Sequence, residues 1–262
     1  MAKGTSGNAY GADLGGTAVF CARPGAEACV AAASMPASRH PFLDRYDAKN
    51  RRGRLYSTGE EIGNAVSHGV GFGLAVAALV LLCVSAAHGG GGLKTCAAVM
   101  MGVTLVCEYL FSTLYHAIQA PRGKAVLRIL DHSAIYLLIA GCYAPFTLVT
   151  LRDAGGVPLC VAVWAIALVG ILLECFGRQR QPKWVSALIY LAMGWAIVFK
   201  LPVLLELLAP GGVALLVAGG LAYSAGCVFY VLKRIPYSHM VFHFFVLAGS
   251  ICHTLAVLLF VF

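Results

Sequence analysis

Charge is what this sequence has least of. Only 11% of its 262 residues are Asp, Glu, Lys or Arg, less than half the roughly 25% of a soluble domain. With 60% hydrophobic residues and a mean hydropathy of +0.83, the composition excludes water as the solvent for most of the chain. Ten cysteines are present, yet no Cys-x-x-Cys pair occurs among them, which argues against a thiolate metal site. Most of them lie inside apolar stretches and act as small hydrophobes rather than as a disulfide framework. Acidic residues are also scarce, 11 against 19 Lys and Arg, a formal net charge of +8. The basic residues fall in short clusters between apolar stretches rather than along one face, so nucleic acid is not an expected partner and the charge speaks of membrane orientation.

What is present is a series of apolar runs of about 20 residues, the length that crosses a bilayer core as helix. Seven are read: Ile62–Ala87, Leu93–Tyr115, His132–Leu151, Val157–Phe176, Trp184–Leu208, Val213–Leu232 and Met240–Phe262. Between them, His88-Gly89-Gly90-Gly91-Gly92 and Pro210-Gly211-Gly212 read as turns, Pro121-Arg122-Gly123-Lys124 as a loop and Gln181-Pro182-Lys183 as a helix start. Residues 1–58 are rich in Ala, Gly and Ser and are expected to be a disordered cytosolic tail, leaving 59–262 as the transmembrane domain. Ala26–Ala37 is mildly apolar but opens behind Glu27, so a cleaved signal is not expected.

Counting Lys and Arg at the ends of the spans gives sixteen on the side of the N-terminus and two, Lys94 and Arg152, on the other, with Lys200 inside the fifth span. The positive-inside rule then expects a seven-helix all-α bundle with a cytosolic N-terminus and an extracytosolic C-terminus, in the plasma membrane.

Polar side chains within such spans are costly and are functional suspects by default. Lys94 lies near the outer surface, and 22 residues of helix, about 33 Å, carry the chain to His116 near the inner one. Asp131 opens the third span from that same surface, and His239 and His243 begin the last. Four residues from three distant segments thus converge on one depth. A lone histidine at a helix end ordinarily packs against headgroups, whereas this convergence argues for a site. His239 and His243, four apart, share a helix face, and Glu108, Ser112 and His116 form a stripe on the second span. Three neutral imidazoles with one open position is the arrangement of catalytic zinc, whose water acidifies to a pKa near 7. The Glu that follows the first His in soluble zinc proteases is absent, Met240 standing in its place. Asp131 is therefore the candidate base.

Taken in order, Glu60-Glu61-Ile62-Gly63-Asn64-Ala65-Val66-Ser67-His68-Gly69, Ser112-Thr113-Leu114-Tyr115-His116, Leu130-Asp131-His132-Ser133-Ala134-Ile135-Tyr136, Ser238-His239-Met240-Val241-Phe242-His243 and Gly249-Ser250-Ile251-Cys252-His253 resemble the hemolysin III branch of the progestin and adipoQ receptor family, over about residues 59–262. The resemblance implies that His116, His239 and His243 hold Zn2+, that Asp131 touches the metal through its water, and that Ser112 lies beside the site. It also implies a seven-helix bundle with a cytosolic N-terminus. Adiponectin-receptor members look like zinc-dependent hydrolases of lipid amides such as ceramide. His132 after the Asp, and a C-terminus at Phe262, depart from those receptors, so a peptide-hormone receptor role is not expected.

The function expected is a zinc-dependent hydrolase acting on a ceramide-like lipid amide at the inner leaflet, with membrane lipids as partners. The alternatives are a non-enzymatic sensor with structural zinc and a pore-forming cytolysin, as the family name suggests. His68, on one face with Glu61 and Asn64, is read as a hydrogen-bond partner or proton relay to the site rather than a ligand. Glu108 is read as protonated or paired, or as part of a proton path. His253, roughly 15 Å beyond His243 by helix rise, is expected to bond a Ser or Tyr hydroxyl on another helix. Gly69 and Gly73 suggest a close helix contact, and Pro145 a kink.

Overall fold

A computed structural model describes residues 56–177, 183–232 and 235–262, and all regular structure among them is helical. The expected tail 1–58 lies outside the described residues apart from its last three, and Thr58 already opens the first helix. Arg178, Arg180, Lys233 and Arg234, which weigh in the charge count, lie outside them too. The helices are α1 (Thr58–His88), α2 (Gly92–Ala117), α3 (Pro121–Pro145), α4 (Gly156–Leu172), α5 (Lys183–Gly194), α6 (Leu201–Leu207), α7 (Pro210–Val231) and α8 (Ser238–Phe260). Among the described residues seven stretches are long and apolar enough to cross a membrane, α5 and α6 forming one of them with the 3₁₀ turn Trp195–Lys200 between. The protein is a seven-helix integral membrane bundle.

Local chemistry sets the helix ends. A capping box starts α1: Ser57 Oγ accepts from Glu60 N at 3.2 Å, and Glu60 Oε2 accepts from Ser57 N at 2.8 Å. The α1–α2 connection turns on Gly90 and Gly91, whose φ values of 70° and 105° are open to glycine at no steric cost. The third span begins at Pro121, eleven residues before the expected His132. Pro121-Arg122-Gly123-Lys124 is the first turn of α3, because proline at the helix start gives up only an N–H that has no partner there. Hydropathy registers the apolar part of a helix and misses a basic turn that extends beyond it. Pro210-Gly211-Gly212 opens α7 for the same reason, rather than forming a turn.

Two of the irregularities within the spans lie beside prolines. Pro145 lacks an N–H, and the chain widens after it into the π turn Phe146–Thr150, with Leu151 N donating to Phe146 O at 2.8 Å. The 3₁₀ turn Trp195–Lys200 ends just before Pro202, which sits in the first turn of α6. Backbone freed inside a membrane must be satisfied by protein, and Tyr143 does this. Its hydroxyl donates to Met193 O (2.7 Å) or Gly194 O (2.9 Å) and accepts from Ile197 N at 3.0 Å.

The spans pack in chain order, α1 on α2, α2 on α3 and α7 on α8, and α8 closes back on α1. Close approach of α1 to α2 occurs at Gly71, where a Cβ would sit 2.5 Å from the Tyr109 ring. Gly73 has nothing within 4 Å and Gly69 only a Thr113 methyl at 3.8 Å. The Gly-x-x-x-Gly spacing therefore marks the right helix and the wrong glycines.

Candidate metal centre

Three chain segments meet at one end of this bundle. The last turn of α2 carries His116, and the first two turns of α8 carry His239 and His243. Just before α8, Tyr237 has φ 60°, the one non-glycine residue with positive φ among those described. Its N–H donates to Glu60 Oε1 at 2.9 Å, so the capping carboxylate of α1 also pins the entry of α8. Strain of this kind persists where the surroundings over-determine it.

One ring nitrogen from each of His116, His239 and His243 lies within 4.8 Å of the others, and all three residues are buried. His239 Nε2 and His243 Nε2 are 3.3 Å apart. Tetrahedral zinc with bonds of about 2.0–2.1 Å separates neighbouring nitrogens by about 3.3 Å, so the pair is already spaced for a shared ion. The other nitrogens are held from α1. His116 Nδ1 lies 2.7 Å from Glu61 Oε2, and His243 Nδ1 lies 3.2 Å from Asn64 O and 3.1 Å from Ser67 Oγ. An Nδ1–H donated to those acceptors leaves each Nε2 lone pair facing inward. His116 Nε2 is fully buried and makes no hydrogen bond within the protein, a cost that a bound cation removes. The donor set therefore fits a metal ion.

Glu61 has a second partner in Lys124 Nζ, at 2.8 Å, and that ammonium also donates to Tyr115 O at 3.1 Å. From the residue preceding the Ser57 cap, the Tyr56 ring stacks on His239 at 5.0 Å between centroids and meets His116 edge-on at 5.8 Å. Burial pushes the Tyr56 hydroxyl well above its ordinary range, so it stays neutral over the cluster. Sequence reasoning missed Tyr56 and Lys124 altogether and saw Glu61 only as part of a polar stripe. The Ser-x-x-Glu cap at Ser57–Glu60 was the available signal that this stretch sits at a helix start.

Asp131, on α3, stands outside the three-histidine group. Its Oδ2 is 3.1 Å from His132 Nδ1, and it interacts electrostatically with His116 and with the nearby Ser112. Ser112 Oγ is buried without a well-formed hydrogen bond. His68 is not a member of the group either. Its ring stacks face to face on His243, centroids 3.5 Å apart, and its nitrogens make no hydrogen bond, so it supports that imidazole by packing rather than by the bond expected. His253 bonds the backbone carbonyl of Leu216 (Nε2 to O, 3.2 Å) and not a hydroxyl, its ring lying edge-on to Tyr223. On α7, Gly219 under the His253 ring lets the two helices approach and brings that carbonyl within reach.

Behind the cluster is a cavity of about 130 Å³ between α3, α5, α7 and α8, lined almost wholly by aliphatic and aromatic side chains. Phe242 forms part of its wall and stacks on His239 at 5.4 Å, so cavity and histidines share a boundary. Glu108 lines it as well, 1% exposed.

Residues 56–254 match the family model described as Haemolysin-III related. The chain is 43% identical over 202 residues to Hemolysin-3 of Bacillus cereus, covering 77% of this chain and 92% of that protein. It is 42% identical over 196 residues to a Hemolysin-3 homolog of Bacillus subtilis (strain 168), covering 75% and 92%. A more distant relative is the monocyte to macrophage differentiation factor of Homo sapiens, 28% identical over 166 residues, or 60% of this chain and 66% of that protein.

Proposed function

The chain belongs to the haemolysin-III related family, and from that premise and the site geometry we propose that it is a zinc-dependent hydrolase of a lipid amide. The observation that carries the reading is the buried trio His116, His239 and His243 with its Nε2 atoms turned inward, beside a carboxylate and against an apolar cavity. A structural zinc site is closed by four protein ligands, whereas a catalytic one keeps three and an open position. Three is what the group offers.

Zinc bound there supplies Lewis acidity toward a carbonyl and acidifies water at neutral pH. The chain's own residues do the rest. Glu61 and the Asn64 carbonyl hold His116 and His243 in the tautomer that presents Nε2. Asp131, with Oδ2 occupied by His132, takes a proton from the attacking water through its other oxygen and returns one to the leaving nitrogen. Ser112 Oγ, free of other well-formed bonds, donates to the oxygen on which charge develops. The cavity receives the acyl chain, and Phe242 divides the dry chain site from the polar head.

We place this end of the bundle at the cytosolic face of the plasma membrane, on the imbalance of sixteen Lys and Arg against two, and so assign the substrate to the inner leaflet. A pore-forming role, which the relatives' name evokes, has less support, because the cavity between the helices is lined almost wholly by apolar side chains rather than by the polar groups a water-filled channel needs. The test is metal content and turnover together. Purified protein is expected to carry close to one zinc and to release fatty acid from ceramide in nanodiscs. His239→Ala should lose both. Wild-type protein without metal, or with metal and no amide cleavage under any lipid tried, overturns the reading.

A further inference from the structure

The proposed chain site is lined mostly by apolar side chains. Two of the residues that line it each hold a buried polar atom without a hydrogen-bond partner: Glu108 Oε2 and His253 Nδ1. Neither is part of the metal centre. Glu108 lies eight residues before His116 on α2, about 12 Å along the helix, and His253 ten residues past His243 on α8, about 15 Å. Because α2 and α8 run in opposite senses from the metal end, both counts lead into the bundle and reach a similar depth. Contacts between the helices agree, since Tyr109, next to Glu108, donates from its hydroxyl to Ser250 Oγ at 2.7 Å, one turn from His253.

The state of His253 is defined. Nε2–H donates to Leu216 O at 3.2 Å, so Nδ1 carries a bare lone pair and can only accept. Glu108 faces an apolar space with a carboxyl group, which can donate and accept when it holds its proton. A saturated chain filling the cavity would leave both atoms unsatisfied, and an unpaired buried polar atom opposes binding. A hydroxyl both donates and accepts, so such a group at this depth can satisfy either atom.

Resting on the reading of the cavity as an acyl-chain site, we propose that Glu108 and His253 select a lipid chain bearing a hydroxyl near its middle, well away from the carbonyl held at the metal. Tyr223, edge-on to His253, and its partner Ser250 (2.9 Å) are already satisfied. The hydroxylated chain is the class of ligand for which this site was built, and a plain chain is the weaker occupant. A site that hydrogen-bonds a substrate hydroxyl discriminates against the analogue lacking it because its own groups then go unpaired.

The experiment is native mass spectrometry of the detergent-solubilised full chain incubated with an equimolar mixture of stearate and a hydroxystearate substituted at mid-chain. The two adducts differ by one oxygen in mass and report preference in a single spectrum, which also counts bound zinc. Wild type is expected to prefer the hydroxylated chain by about tenfold, the worth of one satisfied buried hydrogen bond. Glu108→Leu and His253→Leu should each reduce that ratio toward one without weakening stearate or changing zinc content. Binding of both lipids alike by the wild type overturns the proposal and leaves the chain site standing. Binding of neither removes the chain site and the proposal with it. A variant that keeps the preference shows that its residue does not read the hydroxyl, and both variants keeping it overturns the proposal.

Discussion

Replacing Glu61 by alanine perturbs two things that can be separated. Glu61 Oε2 holds His116 Nδ1 at 2.7 Å and Oε1 pairs with Lys124 Nζ at 2.8 Å, with both side chains of that ion pair about nine-tenths buried. Loss of a carboxylate that orients a ligating histidine typically costs about 10–100-fold in metal affinity, or about 1.4–2.8 kcal/mol. The ion pair itself has a gross attraction of about 6 kcal/mol at 2.8 Å for an effective dielectric of about 20, most of it offset by desolvation. Removing one partner strands the other, which costs about 3–5 kcal/mol. Lys124 then keeps only Tyr115, its carbonyl at 3.1 Å and its ring at 5.0 Å.

Lys124→Met added to Glu61→Ala removes the stranded ammonium but does nothing for His116. The double variant should regain most of the metal-free stability and none of the affinity, while Glu61→Gln, which keeps an acceptor for His116, should fall between. Zinc affinity is read by competition with a chromophoric chelator, and stability by thermal unfolding of the metal-free protein in detergent. Glu61→Ala with affinity within about threefold of wild type, well inside the range that loss of such a partner produces, refutes the orienting role. Recovery of affinity together with stability in the double variant refutes it as well.

Other perturbations follow from the same geometry. Asp131→Asn should retain metal while amide turnover falls by about a hundredfold or more, measured as fatty acid release against zinc content of the same sample. Tyr143→Phe takes one hydroxyl from the break between α5 and α6 and should cost about 1–3 kcal/mol in detergent unfolding, with zinc content unchanged. Gly71→Val drives a side chain into the Tyr109 ring and should destabilise by about 1–3 kcal/mol, whereas Gly73→Val, facing open space, should unfold with wild type. Chelating the zinc should lower the melting temperature, by the equivalent of about 4 kcal/mol when the metal stood at a thousand times its Kd, and the same chelator should leave His243→Ala unmoved.

The spans were legible because a bilayer demands a long apolar run from each helix, and six of the seven helix starts read from hydropathy lie within about four residues of the structural ones. The third start was not, because Arg122, Lys124 and Arg128 extend α3 beyond its apolar part, and Lys124 is there to pair with Glu61 on another helix. The meeting of His116, His239 and His243 could be read from depth alone, since helix rise fixes how far along a span each residue lies. Which way they turn could not, because that depends on rotation and on neighbours. The Glu61–His116 bond joins residues 55 apart, and the Ser67–His243 contact residues 176 apart. Gly71 illustrates the same limit on a smaller scale, for a spacing rule names a helix face only when the partner helix is known.

α1 contributes none of the three histidines of the group, yet it is the element against which they are held. It packs against both α2 and α8, which carry all three histidines, and its polar residues Glu61, Asn64, Ser67 and His68 occupy one side at helical spacing. Each touches a histidine of a different helix, through Glu61 to His116 and through Asn64, Ser67 and His68 to His243. The two ligand helices therefore take their relative height from α1 as well as from any ion between them. His239 in turn stacks on the rings of Tyr56 and Phe242. Tyr56, next to the Ser57 cap of α1, limits the rotation of that ring. Tyr56→Ala should consequently weaken metal binding through a faster off-rate while Glu61→Ala lowers the affinity of a correctly placed but mis-oriented imidazole. Stopped-flow chelation separates the two, and equal off-rates for Tyr56→Ala and wild type would show that α1 governs only His116 and His243.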